Sequence, residues 1–410
     1  MNILIIIYVL FSWAMLVLAF FVMLQASANF HFVRKRIWQV RPPHNFTPPV
    51  DLICPCCGLD PGLEDNLQRL LVQDYPDYRV IFTVAQPTDS AVPVIRKLLR
   101  EVAPERACLV IAGQATTCAQ KVHNQLQAIR QEARGTGVLA FVDSDIHPQP
   151  KWLRHLVDPL VRPTVGVVTG YRWYVPTRYN LASMTLASLN GIAAGSLGPH
   201  KMNHAWGGTM ATRKEHFDRL GIADIWSGAI TDDLTLSTAA KRAGLRVVFE
   251  PKCYTASCDA FTWSRLFEFV RRQFIITRVC APRLWLMGLG ASLQYALAVW
   301  LGLFLTIWAW RAGHPALHFI WPAPAILYGL SILKGFMRRL NICLALPDHA
   351  AAIRPATWLD IFASPLTNLV MLLCILASTL SRTIIWRGIK YRLCRADKTQ
   401  IIHYGQSASP

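Results

Sequence analysis

Residues 3–25, ILIIIYVLFSWAMLVLAFFVMLQ, contain no charged side chain. About 20 apolar residues are enough to cross the hydrocarbon core of a bilayer as one helix, and lipid permits little else, because every backbone polar group there must be satisfied internally. No small-residue cleavage site succeeds it, so the segment reads as a retained anchor rather than a signal peptide. Arg34, Lys35 and Arg36 come next. Basic residues beside a span favour the cytoplasmic side, so the chain beyond them is expected in the cytoplasm. The whole chain shares the bias: it is 53% hydrophobic and 16% charged, against about 25% charged in soluble domains. A formal net charge of +18 fits nucleic acid, an anionic membrane surface or a phosphorylated substrate. High hydrophobicity and the absence of a nucleic-acid-binding motif favour the bilayer plus an anionic substrate, with no nucleic acid partner.

Residues 37–260 obey a different pattern. VDLIC (50–54), YRVIFTV (78–84), ACLVIA (107–112) and VLAFVD (138–143) are short apolar runs. Each is succeeded by a stretch of helical period: 63–73, 91–102, 121–133 and 150–160. Nearly continuous apolar strands alternating with helices indicate an α/β domain with a mostly parallel sheet covered on both faces. Ligands bind such sheets beyond the carboxyl ends of the strands. From 261 the composition shifts again. FTWSRLFEFVRRQFIITRV, within 261–283, predicts an amphipathic helix in the headgroup layer, with Phe261, Trp263, Phe267, Phe269 and Phe274 among acyl chains. Residues 284–385 hold about three candidate spans, at 284–310, 317–333 and 361–380, and 386–410 form a basic tail. The domains expected are therefore an anchor (1–30), a cytoplasmic catalytic unit (37–260), an interfacial helix, a membrane region and the tail. Three spans would leave the tail opposite the catalytic unit, against the charge rule, so either one segment is re-entrant or the tail is an exception. The eleven cysteines, including Cys54, Cys56 and Cys57 of CPCC, lack zinc-ligand spacing. They read as small apolar residues in a reducing compartment.

The chemistry concentrates at loops. In LAFVDSDIHP, Asp143 and Asp145 come after a buried strand. Residues i and i+2 of extended chain point to one side, and two carboxylates so placed repel unless a cation lies between them. Asp89 comes after the second strand and reaches the same rim. AWGGTMATRK sets Trp206, a face for a sugar ring, beside Gly207 and Gly208, which let backbone approach a ligand. Asp232 and Asp233 open a helix, where carboxylates also serve as caps. An acidic pair suits Mg²⁺ or Mn²⁺ shared with a diphosphate, and a separate carboxylate can act as general base on a hydroxyl. Lys121 begins the third helix and can face a phosphate or a nucleobase edge.

In this order and spacing, DLICPCCGLDPGLEDNLQRLLVQDYPDYRVIF, the Asp89 segment, GQATTCAQKVHN, FVDSD, AWGGTMATRK and TDDLTLS resemble a family 2 glycosyltransferase of the GT-A fold, most similar to the ceramide glucosyltransferase-like branch, over about 48–283. The resemblance implies an inverting hexosyltransferase. It implies that Asp89 contacts the uracil or ribose of a UDP-sugar, that Asp143 lies near ribose and metal, and that Asp145 ligates the metal. Asp233, second acid of the Asp232–Asp233 pair, is implied as the base, with Trp206, Gly207 and Gly208 shaping the sugar pocket. The family's Gln-x-x-Arg-Trp signature falls on the interfacial helix, where the register reads Val270, Arg271, Arg272, Gln273, Phe274. Arg271, Arg272 and Gln273 are then expected to hold the diphosphate and the acceptor entry. The resemblance also implies UDP-glucose as donor and ceramide as lipid acceptor, with a hopanoid, a diacylglycerol or a polyprenyl phosphate as alternative acceptors. The catalytic unit would face the cytoplasm at a bacterial inner membrane, or at the ER or Golgi in a eukaryote. A processive polysaccharide synthase would need more spans and an intact signature. A non-catalytic polytopic protein would leave the acids at successive loops unexplained.

Overall fold

The four apolar runs form strands. In the computed structural model, which describes residues 3–39, 46–102, 105–135 and 137–405, β1 is Val50–Pro55, β2 Tyr78–Val84, β3 Ala107–Ile111 and β4 Val138–Val142. All four are parallel; Val50 aligns with Tyr78 on one side and with Val138 on the other. The helices between them, Leu63–Leu71, Ala91–Glu101 and Gln120–Glu132, lie where the helical period placed them. Alternate strand residues face opposite layers. Leu52, Val80, Phe82 and Ala140 pack under the 63–71 and 91–101 helices, whereas Ile53, Ile81, Leu139 and Phe141 pack under the 120–132 helix and Trp226.

Beyond β4 the sheet departs from a simple parallel wind. Its seven strands are ordered β3-β2-β1-β4-β6-β5-β7, with β5 at Val165–Pro176, β6 at Thr209–Arg213 and β7 at Arg246–Asp259. β6 is antiparallel to both neighbours, while β5 and β7 are parallel to each other. This is the mixed, mostly parallel α/β architecture of the GT-A type. The antiparallel strand has a direct consequence for the site. Thr209 pairs with Val142, so the residues entering β6 lie against those leaving β4.

The anchor helix runs Ile3–Trp38, about 54 Å at 1.5 Å per residue, longer than a bilayer core. Its last turns belong to the catalytic unit: Val33 is buried with Trp173, Phe249 and Tyr254, and Arg36 pairs with Glu250. Two further helices, Pro282–Arg311 and Leu317–Ala345, are long and apolar enough to cross a membrane. The third expected span, 361–380, is the helix Ser364–Leu380, bent by 85° from the helix Pro347–Phe362 that precedes it. Pro365 explains the break, since proline lacks an N–H and disfavours helical geometry in the residue before it. The basic tail is folded. β8 (Thr383–Trp386), β9 (Ile389–Arg395) and β10 (Lys398–Tyr404) form an antiparallel sheet. Ile384, Ile389, Tyr391 and Leu393 are buried in the cluster that holds Ile53 and Phe141, and Tyr391 Oη accepts from Gln120 N at 3.1 Å. The tail therefore packs on the catalytic unit.

The aromatic helix, Trp263–Cys280, is capped by the Thr262 side chain. Its expected lipid face is corrected in part. Trp263 and Phe267 are exposed, but Phe261 is buried, and Phe269 and Phe274 pack on the same cluster. The rings of Phe261, Phe269 and Tyr174 meet with centroids 5.7 to 6.0 Å apart, and this mutual packing withdraws them from the surface.

Candidate active site

Asp143 stands one residue past β4, and its N–H donates to Gly208 O at 3.2 Å, extending the β4–β6 pairing into the loop. That hydrogen bond brings the acidic loop and the glycine shelf together. A Cβ on Gly208 would lie 2.6 Å from Asp143 Oδ2 and 2.1 Å from the Trp206 ring; one on Gly207 would lie 2.5 Å from Asp232 Oδ1. A side chain at either position would displace Asp143, Asp232 or the Trp206 ring from this arrangement.

Two cations tie the carboxylates into one group. Lys121, from the start of the 120–132 helix, reaches Asp143 Oδ1 at 2.7 Å and Asp232 Oδ2 at 3.2 Å, and donates to Gly207 O at 3.2 Å. It thus points into the acidic cluster rather than outward. Arg172, on β5, donates to Asp145 Oδ2 at 3.0 Å, with a second nitrogen 4.0 Å from Asp143 Oδ2. Its guanidinium lies 4.8 Å from the Trp206 ring centre and 5.2 Å from that of Tyr174, within the range of cation–π attraction. Gln125 donates to Asp232 at 2.7 Å. Asp233 accepts from Gly207 N at 2.9 Å, from Leu234 N at 2.6 Å and from the Thr231 hydroxyl. Three donors on two oxygens leave this carboxylate oriented with acceptor capacity to spare.

The carboxyls are electrostatically distinct. Burial pushes Asp143 up, but Lys121 and Arg172 outweigh it and hold Asp143 below the ordinary carboxylate value. Asp145 is raised, mainly by burial, against the pull of Arg172 and with help from the Asp143 charge. Asp233 is raised by burial and by Asp232. The cluster therefore combines a firmly ionised acid with others whose proton affinity is increased, a pattern that separates acid–base roles.

A divalent cation fits the donor set. Asp145 Oδ1 is buried and accepts no hydrogen bond, and four carboxylates here face two cations. Among the described residues, no group of three His, Cys, Asp or Glu could hold a metal alone. The chain would supply the Asp143 and Asp145 oxygens, and water or substrate phosphate the rest, which is how Mg²⁺ and Mn²⁺ are commonly held.

Eight expected site residues thus converge: Lys121, Asp143, Asp145, Trp206, Gly207, Gly208, Asp232 and Asp233. Asp89 makes no hydrogen bond or ion pair with them; its Oδ1 accepts from Gly58 N and Ala91 N, both at 2.9 Å, fastening the loop after β1 to the 91–101 helix. On the interfacial helix, Arg271 donates to Ala377 O at 3.2 Å and Gln273 is exposed; neither contacts a carboxylate of the cluster. Arg272 lies nearer, against the C-terminal sheet, donating to Ile385 O at 3.2 Å, and burial lowers its pKa to about 10. All eleven cysteines are free, with Cys54 and Cys56 buried. Sequence reasoning missed Arg172 and Gln125. The basic residue inside VGVVTGYRWYVP was the one available signal for Arg172.

A mixed sheet with acids at the end of β4, a glycine shelf entering β6 and a second acidic pair at a helix start defines a GT-A glycosyltransferase site. The sequence model of glycosyl transferase family 21 matches residues 13–399, so the chain belongs to that family and is a glycosyltransferase. It is also similar to a mannosyltransferase from Pyrobaculum calidifontis in complex with GDP-Man and Mn²⁺, at 18% identity and TM-score 0.49, covering 91% of this chain and 98% of that one. Glucosyl-3-phosphoglycerate synthase from Mycobacterium tuberculosis, in complex with Mn²⁺ and UDP-glucose, resembles it at 14% identity and TM-score 0.35, covering 58% and 83%.

Proposed function

We propose that this glycosyltransferase moves a sugar from a UDP-linked donor, glucose from UDP-glucose, to the hydroxyl of a lipid such as ceramide, with inversion. The observation that carries this reading is the single cluster in which Lys121 and Arg172 join Asp143, Asp145 and Asp232, directly beside Asp233 and the Trp206–Gly208 shelf. Trp206 offers its face to the sugar, while Arg172 behind it fixes the ring and Asp145 together. Asp233 takes the proton from the acceptor hydroxyl as that oxygen bonds to the anomeric carbon. The bond from carbon to the diphosphate oxygen breaks on the opposite side, and its electron pair leaves with the nucleoside diphosphate. One base and one displacement give a β-glycoside from an α-linked donor. A divalent cation held by Asp143 and Asp145 would neutralise charge on the diphosphate.

Attachment to the bilayer supports a lipid acceptor. The interfacial helix exposes Trp263 and Phe267, aromatic side chains suited to the headgroup boundary. A water-soluble nucleotide-sugar and a membrane-held alcohol would meet beside it, with the catalytic unit in the cytoplasm. The test is to incubate purified protein with radiolabelled nucleotide-sugars, total lipid extract and Mn²⁺, and to identify the product by mass spectrometry. A β-glucosylated sphingolipid formed by the parent and lost in Asp145→Asn is expected. A different glycolipid would replace ceramide as acceptor, and transfer undiminished in Asp145→Asn would overturn the assigned site.

A further inference from the structure

The turn from β8 to β9 has Arg387 and Gly388 as its central residues. Both have positive φ, 49° and 77°, as a two-residue hairpin of the I′ type requires. Asn, Asp or Gly normally occupies the first of these positions, because a side chain in the left-handed region is strained. Arg387 is the one non-glycine residue with positive φ among the described residues. Strain of this kind is tolerated where the surrounding structure holds it, and it concentrates at functional sites.

The turn is held firmly. Ile384 and Ile389 on either side are buried, Arg272 donates to Ile385 O at 3.2 Å, and its guanidinium lies 5.9 Å from the Trp386 ring centre. From this mount Arg387 reaches Asp60 Oδ1 at 2.6 Å. The other oxygen of Asp60 accepts from Ser144 Oγ at 3.0 Å, and Ser144 is the residue between Asp143 and Asp145. Lys121 and Arg172 are committed to the inner side of the cluster, with side chains 16% and 14% exposed. The Arg387 side chain is 49% exposed, so it is a cation at the rim that a ligand can reach.

We propose that Arg387, carried by the C-terminal hairpin, is a donor-binding residue: it leaves Asp60 when the donor enters and grips the diphosphate on the side opposite Lys121 and Arg172. This rests on the reading of the donor as a nucleotide-sugar. The guanidinium donates two N–H groups to phosphate oxygens and stays protonated throughout. It meets the negative charge that grows there as the bond to the anomeric carbon breaks. The competing reading is an ion pair, with the Asp60 side chain only 9% exposed, that fastens the tail and does nothing more.

Arg387→Gly separates the two, because glycine relieves the positive φ and leaves the turn intact. Full-length protein in nanodiscs is titrated with UDP in the presence of Mn²⁺, and uridine affinity is measured by displacement. We expect Arg387→Gly to weaken UDP about 10- to 100-fold, the range of a charge-assisted pair. Uridine affinity and the KM for the lipid acceptor should hold. Arg387→Lys should fall between, since an ammonium lacks the planar fork. Unchanged UDP affinity, or equal loss of UDP and uridine, would overturn the proposal. A raised KM for the lipid with UDP binding intact would do the same, assigning Arg387 to an acceptor headgroup. If the parent itself binds neither UDP nor GDP, the donor reading fails first, and the proposal with it.

Discussion

At the scale of single residues, the proposed base Asp233 shows how the fold can raise a carboxyl's proton affinity. The backbone N–H groups of Gly207 and Leu234 and the Thr231 hydroxyl fix its plane, while burial and the neighbouring Asp232 raise its pKa above the ordinary value of 3.8. A base works only when ionised. Raising the pKa moves the loss of the ionised form to higher pH, so the acidic limb of kcat/KM should lie above that of a free carboxylate, with activity falling as pH drops through it. Asp233→Asn should lower kcat by about 10²- to 10⁴-fold, the usual contribution of a positioned base, and should abolish that limb while leaving donor affinity within a few-fold. A full pH–rate series on both proteins checks this. An unchanged acidic limb in the variant would remove Asp233 from the role of base. The place of Asp233 was legible because its two acids open a helix directly after a turn. Arg172 was not, because its importance arises only when β5, remote in sequence, places it between Trp206 and Asp145.

At the scale of elements, the parallel half of the sheet was legible and the rest much less so. β1 to β4 are short apolar runs separated by helical periods, and both signals are local. The direction of β6 is not local: TMATR is compatible with either orientation, and only its pairing with both β4 and β5 fixes it. In the tail, IKYRLCR alternates apolar and charged residues at the strand period of two, yet net basicity hid the pattern. On the interfacial helix, aromatic content predicted a continuous lipid face, whereas tertiary packing buries Phe261 and leaves Trp263 at 52% and Phe267 at 40% exposure. Those two side chains should therefore carry the contact with lipid. Replacing both with serine should raise the apparent KM for a membrane-embedded long-chain acceptor several-fold. A short-chain, water-dispersed analogue should be turned over as before, because the catalytic cluster is untouched. Kinetics with the two acceptors side by side decide the matter; equal losses on both would mean that the helix only braces the active site.

At the scale of the whole molecule, the folded tail constrains how the chain threads the bilayer. The anchor helix ends inside the catalytic unit, with Val33 buried there, and the β8–β10 sheet packs on the same unit, with Tyr404 Oη donating to Ala115 O. If the long apolar helices span a bilayer, the segment from 281 to 381 leaves and returns to one side of it, so its crossings are even in number. Pro282–Arg311 can go out and Leu317–Ala345 back. The pair at 347–380, bent by 85°, must then enter and leave by the same face. Three complete crossings after the catalytic unit would tear the C-terminal sheet from its partners, including the Ile384, Tyr391 and Leu393 packing. The charge rule, which the tail's basic residues offend when three crossings are drawn, is satisfied by two crossings and one re-entrant pair. Single cysteines placed on a cysteine-depleted background should report this directly. A cysteine at Ala312, exposed between the two long helices, should react with an impermeant maleimide from the side opposite the catalytic unit. One at Lys390, exposed on β9, should react only once the membrane is opened. Labelling of both positions from the same side would rule out this threading and leave the bent pair as a full crossing.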